Sequence, residues 1–169
     1  MNRPHIDEYA PFYQKYIETV DDDVIDELET QAHAFPEFLR AISSEKADYR
    51  YAPEKWSIKE LVGHVIDTER IMTYRALRFA RNDSTPVAGF DEANYVANAH
   101  FADRTLESFA EEFDLLRRSN LHFFRSLNEI ELGRSGTANG VSVSVKALLF
   151  IIAGHLNHHR RILTERYLT

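Results

Sequence analysis

An all-α four-helix bundle with one small β-hairpin is the fold this sequence predicts, and three observations carry it. Four segments repeat apolar residues every three to four positions, the period of a helix with one inward face. Strand-like alternation is confined to a short stretch around an Asn-Gly pair, a strong hairpin-turn signal. The chain has 169 residues, 44% hydrophobic and 12% aromatic, with only 6 Gly and 5 Pro. That length suits one domain over residues 1–169, with a core large enough to need no staple.

Taken in order, Tyr9, Phe12, Tyr13 and Tyr16 stand at helical spacing and predict a short helix laid over the bundle, its aromatics serving as packing. The first long helix is expected from Asp22 to Ile42, with Val24, Ile25, Leu28, Ala32, Phe35, Phe38, Leu39 and Ile42 on one face. Pro36 should kink it or mark a boundary. The second runs from Ser57 to Arg81 and opens on Ser57-Ile58-Lys59-Glu60, a capping box in which the hydroxyl and the carboxylate each satisfy a free amide. Ile58, Leu61, Val62, Val65, Ile71, Met72, Leu77 and Phe79 are its expected inward residues. Residues 83–104, with Pro86 and Gly89, form a crossover long enough to leave the second and third helices parallel. The third helix spans Thr105 to Leu127 on Leu106, Phe109, Phe113, Leu116, Phe123 and Leu127, a stripe that Asn120 interrupts. A hairpin over Gly136–Val143 then leads into the fourth and most apolar helix, Ser144 to Leu168.

Composition removes several classes of function. With 27 acidic against 20 basic residues and a net charge of −7, the surface disfavours nucleic acid as a partner. The absence of cysteine excludes a disulfide framework, a thiolate-ligated metal and a protein thiol nucleophile. The longest apolar run, Ala147 to Gly154, is far short of the ~20 residues a membrane span needs. The N-terminus leads into no signal-like stretch, so the expectation is a soluble cytoplasmic protein without a membrane partner.

The chemistry concentrates in histidine, of which there are eight. On the fourth helix Leu148, Ile152, His155, His159 and Ile162 follow one inward line, so two imidazoles occupy places where apolar residues belong. One turn apart, they can converge on a single cation; buried without one, they would be costly to desolvate and would repel once protonated. A His pair at this spacing also arises on solvated helices, and the stripe is what separates the two readings. His64 on the second helix offers a third ligand, with Gly63 before it permitting close approach. Three histidines with a vacant fourth position is the pattern of a catalytic rather than a closed structural site. If the rings titrate near 6.5, ion affinity should fall below that pH. Asp67 and Glu69 are candidates for supporting hydrogen bonds or a general base, with surface ion pairing the simpler alternative. Phe90 and Tyr95 from the crossover are candidates to wall the pocket, Tyr95 as a hydrogen-bond donor, against plain packing. His158 is expected to face solvent near the helix end, and His100 in the crossover could approach the site. The spacing His155-x-x-x-His159 is similar to a zinc-protease helix, but Leu156 stands where that chemistry needs Glu.

The run from Tyr51 to Arg70, YAPEKWSIKELVGHVIDTER, and the run from Ile152 to Arg160, IAGHLNHHR, resemble the second- and fourth-helix signatures of the DinB-like (YfiT-type) metalloenzyme family. Gly89-Phe90-Asp91-Glu92 through Tyr95 and Gly136-Thr137-Ala138-Asn139-Gly140 resemble its crossover and hairpin. The resemblance spans nearly the whole chain. It implies an up-down-down-up bundle, often a homodimer, that binds a divalent ion such as zinc or nickel through His64, His155 and His159. It also implies a small-molecule substrate and, by likeness to members using bacillithiol or mycothiol, a low-molecular-weight thiol cosubstrate. The expected function is therefore a metal-dependent transferase or isomerase using such a thiol. A metal-dependent hydrolase and a non-catalytic metal-binding stress or interaction protein are the alternatives. A fold alone does not choose among these.

Overall fold

The computed structural model describes residues 1–169. Two single 3₁₀ turns lead into α1 (Gln14–Ile17), and the long rods are α2 (Val24–Ala41) and α3 (Ile58–Ala80). The crossover carries α4 (Glu92–Asn98) and delivers the chain to α5 (Leu106–Arg125). A short α6 (Glu129–Gly133) precedes the hairpin of β1 (Ser135–Ala138) and β2 (Val141–Ser144), and α7 (Val145–Ile162) ends in a wider π turn over Leu163–Tyr167. No helix is long and apolar enough to cross a membrane.

Each long helix starts on a side chain that accepts from its first free amides: Asp23 for α2, Ser57 for α3, Thr105 for α5 and Ser144 for α7. The expected capping box is present, with Glu60 N donating to Ser57 Oγ at 3.2 Å and Ser57 N to Glu60 Oε2 at 2.7 Å. Asn139 and Gly140, at φ 52° and 76°, make the tight turn that the Asn-Gly pair predicts, with Ala138 opposite Val141.

Helix directions follow from which ends meet. Arg40 pairs with Glu107 at 3.0 Å and Glu29 with Arg125, so α2 and α5 are antiparallel. Lys59 donates to the Ala102 carbonyl at 3.0 Å, Arg70 meets Glu112, and Arg81 meets Glu131 at 2.8 Å, which sets α3 and α5 side by side in the same direction. The Tyr167 hydroxyl donates to Trp56 O at 2.8 Å beyond the far end of α7, so α7 runs against α3. The four rods therefore run up-down-down-up, with the crossover spanning the bundle. Leu28, Phe35, Leu39, Val65, Phe109, Phe113, Leu148 and Ile152 fill the interior, each contributing roughly 1.5–3 kcal/mol by leaving water.

Several expectations need correction. Pro36 does not bound its helix: α2 continues through it, because Ala32, Phe35 and Leu39 around it are all buried and that packing offsets the missing amide. Leu77, expected inward, is exposed. The crossover is not irregular throughout, since Asp91 caps α4, which buries only Val96.

Asn120 breaks the α5 stripe for a reason. It donates to Glu69 Oε1 at 3.0 Å, and Glu69 is held by both Nε and Nη2 of Arg117 at 2.8 Å each. Arg117 Nη1 donates to Gln31 Oε1 at 2.8 Å, and Gln31 Nε2 reaches the Ala153 carbonyl at 2.9 Å. The pair is enclosed, at 0% and 3% side-chain exposure, so one polar chain ties all four rods together.

Candidate metal centre

His64 sits in the second turn of α3 and His155 and His159 in successive turns of α7, where the two helices face each other. Gly63 does admit a close neighbour, but it is the ring of Phe101 from the crossover. Gly154 admits a second one: a Cβ there would collide with the backbone of Tyr16, so α1 rests directly on α7 one residue before His155.

The three ring nitrogens aim at one another. His155 Nε2 lies 3.1 Å from His64 Nε2 and 3.0 Å from His159 Nε2, and the three donor atoms all fall within 4.8 Å of each other, with no carboxylate in the group. His64 and His155 are buried, at 4% and 7% exposure; His159 is more open, although its Nδ1 is buried without a partner. Hydrogen bonding alone does not satisfy this arrangement. Each neutral ring nitrogen is either one donor or one acceptor, so three Nε2 atoms turned inward leave lone pairs facing lone pairs or hydrogens facing hydrogens. A cation at the centre accepts all three lone pairs. Nitrogens bound at 2.0–2.1 Å around a tetrahedral ion stand about 3.3 Å apart, close to the separations observed, so the residues fit a divalent ion. Thr68 Oγ1, 3.5 Å from His64 Nδ1, is placed to fix that ring with Nε2 inward.

Burial pushes His64 down to about 4 and His159 to about 3, the latter helped by the neighbouring His64, and holds His155 well below 6.5. The rings stay neutral, as ligands must. Proton competition with an ion therefore moves below the window near 6.5 that solvated rings predict. In the unfolded chain the same rings take up protons at about 6.5, so the unfolded state binds more protons than the folded one as pH falls below that value, and stability declines. We expect the thermal midpoint of the chelator-treated protein to be level above pH 7 and to drop between pH 6.5 and 5. A midpoint unchanged over that window would show that the rings are not held neutral.

A cleft of about 160 Å³ opens beside His155. Tyr13, Tyr16 and Phe90 give it aromatic walls, and Thr68, Arg75 and Glu92 bring polar groups. The edge of the Tyr16 ring packs at 5.6 Å on His155, while Trp56 lies 4.8 Å from His64. Burial raises the Glu92 carboxyl against the pull of Lys15.

Other candidates lie elsewhere. Glu69 is neither in the three-ring cluster nor on the surface; it is the buried partner of Arg117. Asp67 lies beside Arg70 at 3.5 Å, and burial raises its carboxyl despite that neighbour. Tyr95 is exposed and packs on Phe90 at 5.2 Å; only Phe90 walls the cleft. His100 is exposed in the left-handed conformation and stands outside the cluster. His158 is half-buried, its ring 5.3 Å from Tyr16. Arg75 and Glu92 were not singled out from the sequence. For Arg75 a signal existed: it stands eleven residues after His64, about three turns along the same face.

The family model described as the DinB superfamily matches residues 27–163. Among solved structures, the fold is similar to YfiT from Bacillus subtilis, a probable metal-dependent hydrolase with an unusual four-helix bundle topology, at a TM-score of 0.74 and 15% identity over 96% of this chain and 89% of that one. It is also similar to the mycothiol-dependent maleylpyruvate isomerase, at a TM-score of 0.66 and 12% identity over 90% of this chain and 62% of that one. No curated protein matches in sequence.

Proposed function

Because the chain belongs to the DinB superfamily, we propose that it is a metal-dependent enzyme whose divalent ion, zinc or nickel, is held by His64, His155 and His159. The observation that carries this reading is the mutual approach of three Nε2 atoms at 3.0–3.1 Å about His155. A bound ion supplies an open coordination position that lowers the pKa of a thiol or water placed there.

The chain's own residues do the rest. Desolvation keeps the three imidazoles unprotonated and available. Thr68 orients His64, and the rings of Tyr16 and Trp56 packed against His155 and His64 keep bulk water from them. Glu92, its carboxyl raised by burial, stands in the cleft as the group able to take a proton from an incoming nucleophile and return it. With no cysteine in the chain, a thiol nucleophile would come from a small cosubstrate. We therefore favour a transferase or isomerase acting on a small molecule with a low-molecular-weight thiol, in a homodimer. The likeness to YfiT supports a second reading, hydrolysis by activated water.

The deciding experiment begins with elemental analysis of protein purified without an affinity tag. A panel of small thiols with electrophiles, and of esters and amides without thiol, follows. Thiol-dependent turnover that a chelator removes and zinc or nickel restores is the expected result. Turnover of esters or amides alone assigns the hydrolase. Bound ion with no turnover, where chelation lowers only the thermal midpoint, overturns the enzymatic reading.

A further inference from the structure

Two arginines are enclosed in this bundle, and only one has a counter-charge. Arg117, fully buried, offers its Nε and Nη2 edge to Glu69, both bonds at 2.8 Å. Arg75 is 2% exposed and forms no ion pair. Its Nη2 donates to the Ala88 carbonyl at 3.1 Å, its Nη1 lies 3.5 Å from the sulfur of Met72, and its Nε is buried with no partner at all. Leaving a guanidinium desolvated and uncompensated is unfavourable, and a bundle that pairs Arg117 so fully has the means to avoid it. Arg75 also lines the cleft that reaches His155. A buried, unpaired cation in a cleft is a place for an anion that the protein does not itself provide.

We propose that Arg75 anchors the carboxylate of a small apolar acid whose body lies along the cleft toward His155. The fork geometry of a guanidinium favours a planar carboxylate. Size and lining select the rest of the molecule. The cleft holds about 160 Å³, near the ~150 Å³ of an apolar cavity that takes one benzene. Phe90, with Arg75 5.9 Å from its ring centre, and Tyr16 and Ile151 offer apolar faces to such a body. Glu92, also lining the cleft and unpaired with Arg75, repels a second carboxylate and so favours a monoacid. That the acid is the substrate rests on the metalloenzyme reading; that it binds through Arg75 does not.

The test titrates purified protein of measured metal content with benzoate and with its neutral twin benzamide, by calorimetry and by thermal midpoint. Wild type should bind benzoate at least about tenfold more tightly than benzamide, as a charge-assisted pair implies, and only benzoate should raise the midpoint. Arg75→Gln should erase that preference while leaving benzamide affinity and metal content unchanged, and Arg75→Lys should keep part of it. If Arg75→Gln does not fold, the wild-type comparison still decides: no preference for benzoate overturns the proposal. So does a preference that survives Arg75→Gln and vanishes on chelation, which would assign the carboxylate to the ion. Protein that lacks a metal yet shows the Arg75-dependent preference refutes the metalloenzyme reading alone, whereas metal-replete protein without the preference refutes only this one.

Discussion

His155→Ala is expected to remove stoichiometric divalent-ion binding, with affinity reduced by more than ~100-fold. Even a hydrogen-bond partner outside the coordination shell is worth ~10–100-fold, and His155 is the ring to which the other two converge, at 3.1 and 3.0 Å. His64→Ala should act in the same direction, because α7 alone supplies only an i,i+4 pair. Calorimetric titration of chelator-treated wild type and variants with zinc and nickel gives the comparison, and circular dichroism checks that the helices remain. If His155→Ala retains the ion at wild-type stoichiometry and affinity, the proposed ligand set is wrong.

The largest stability loss should come from a residue with no part in the chemistry. Glu69→Ala strands the Arg117 guanidinium at 0% exposure, and removing one partner of a buried ion pair costs about 3–5 kcal/mol. For a chain of this size, 1 kcal/mol moves the melting point by ~2–4 °C, so the midpoint should fall by roughly 6–20 °C. Replacing both members by apolar residues, Glu69→Met with Arg117→Met, should recover much of the loss, because the desolvated charge is then gone. A double variant as unstable as Glu69→Ala would mean that the cost lies in packing or in the bonds to Gln31 and Asn120 rather than in the stranded charge.

The parts of the fold legible in sequence were those written in period and punctuation. The α7 stripe exposed His155 and His159 because two imidazoles interrupt an otherwise apolar face, and Ser57 with Glu60 marked the start of α3. α4 is too short to show a period and buries only Val96, and its one clue in the sequence is Asp91 as a cap. The role of Glu69 is not legible because charge patterning along one helix shows Arg70 beside it but not Arg117 on another. Arg75 carries the same lesson in reverse. Its meaning lies in the absence of a partner, which only packing in three dimensions reveals, and Gly63 signalled a close approach without saying that the visitor was Phe101.

The bare backbone at Gly154, on which α1 rests, has one further consequence. The three imidazoles all lie inside residues 27–163, the stretch the family model matches, while Tyr13 and Tyr16, in the segment that rests on that glycine through Tyr16, precede it. The three rings thus fall within the matched stretch, and part of the wall beside them comes from the segment N-terminal to it. A change in the strap of chain that crosses α7 would therefore reshape that wall while leaving His64, His155 and His159 in place.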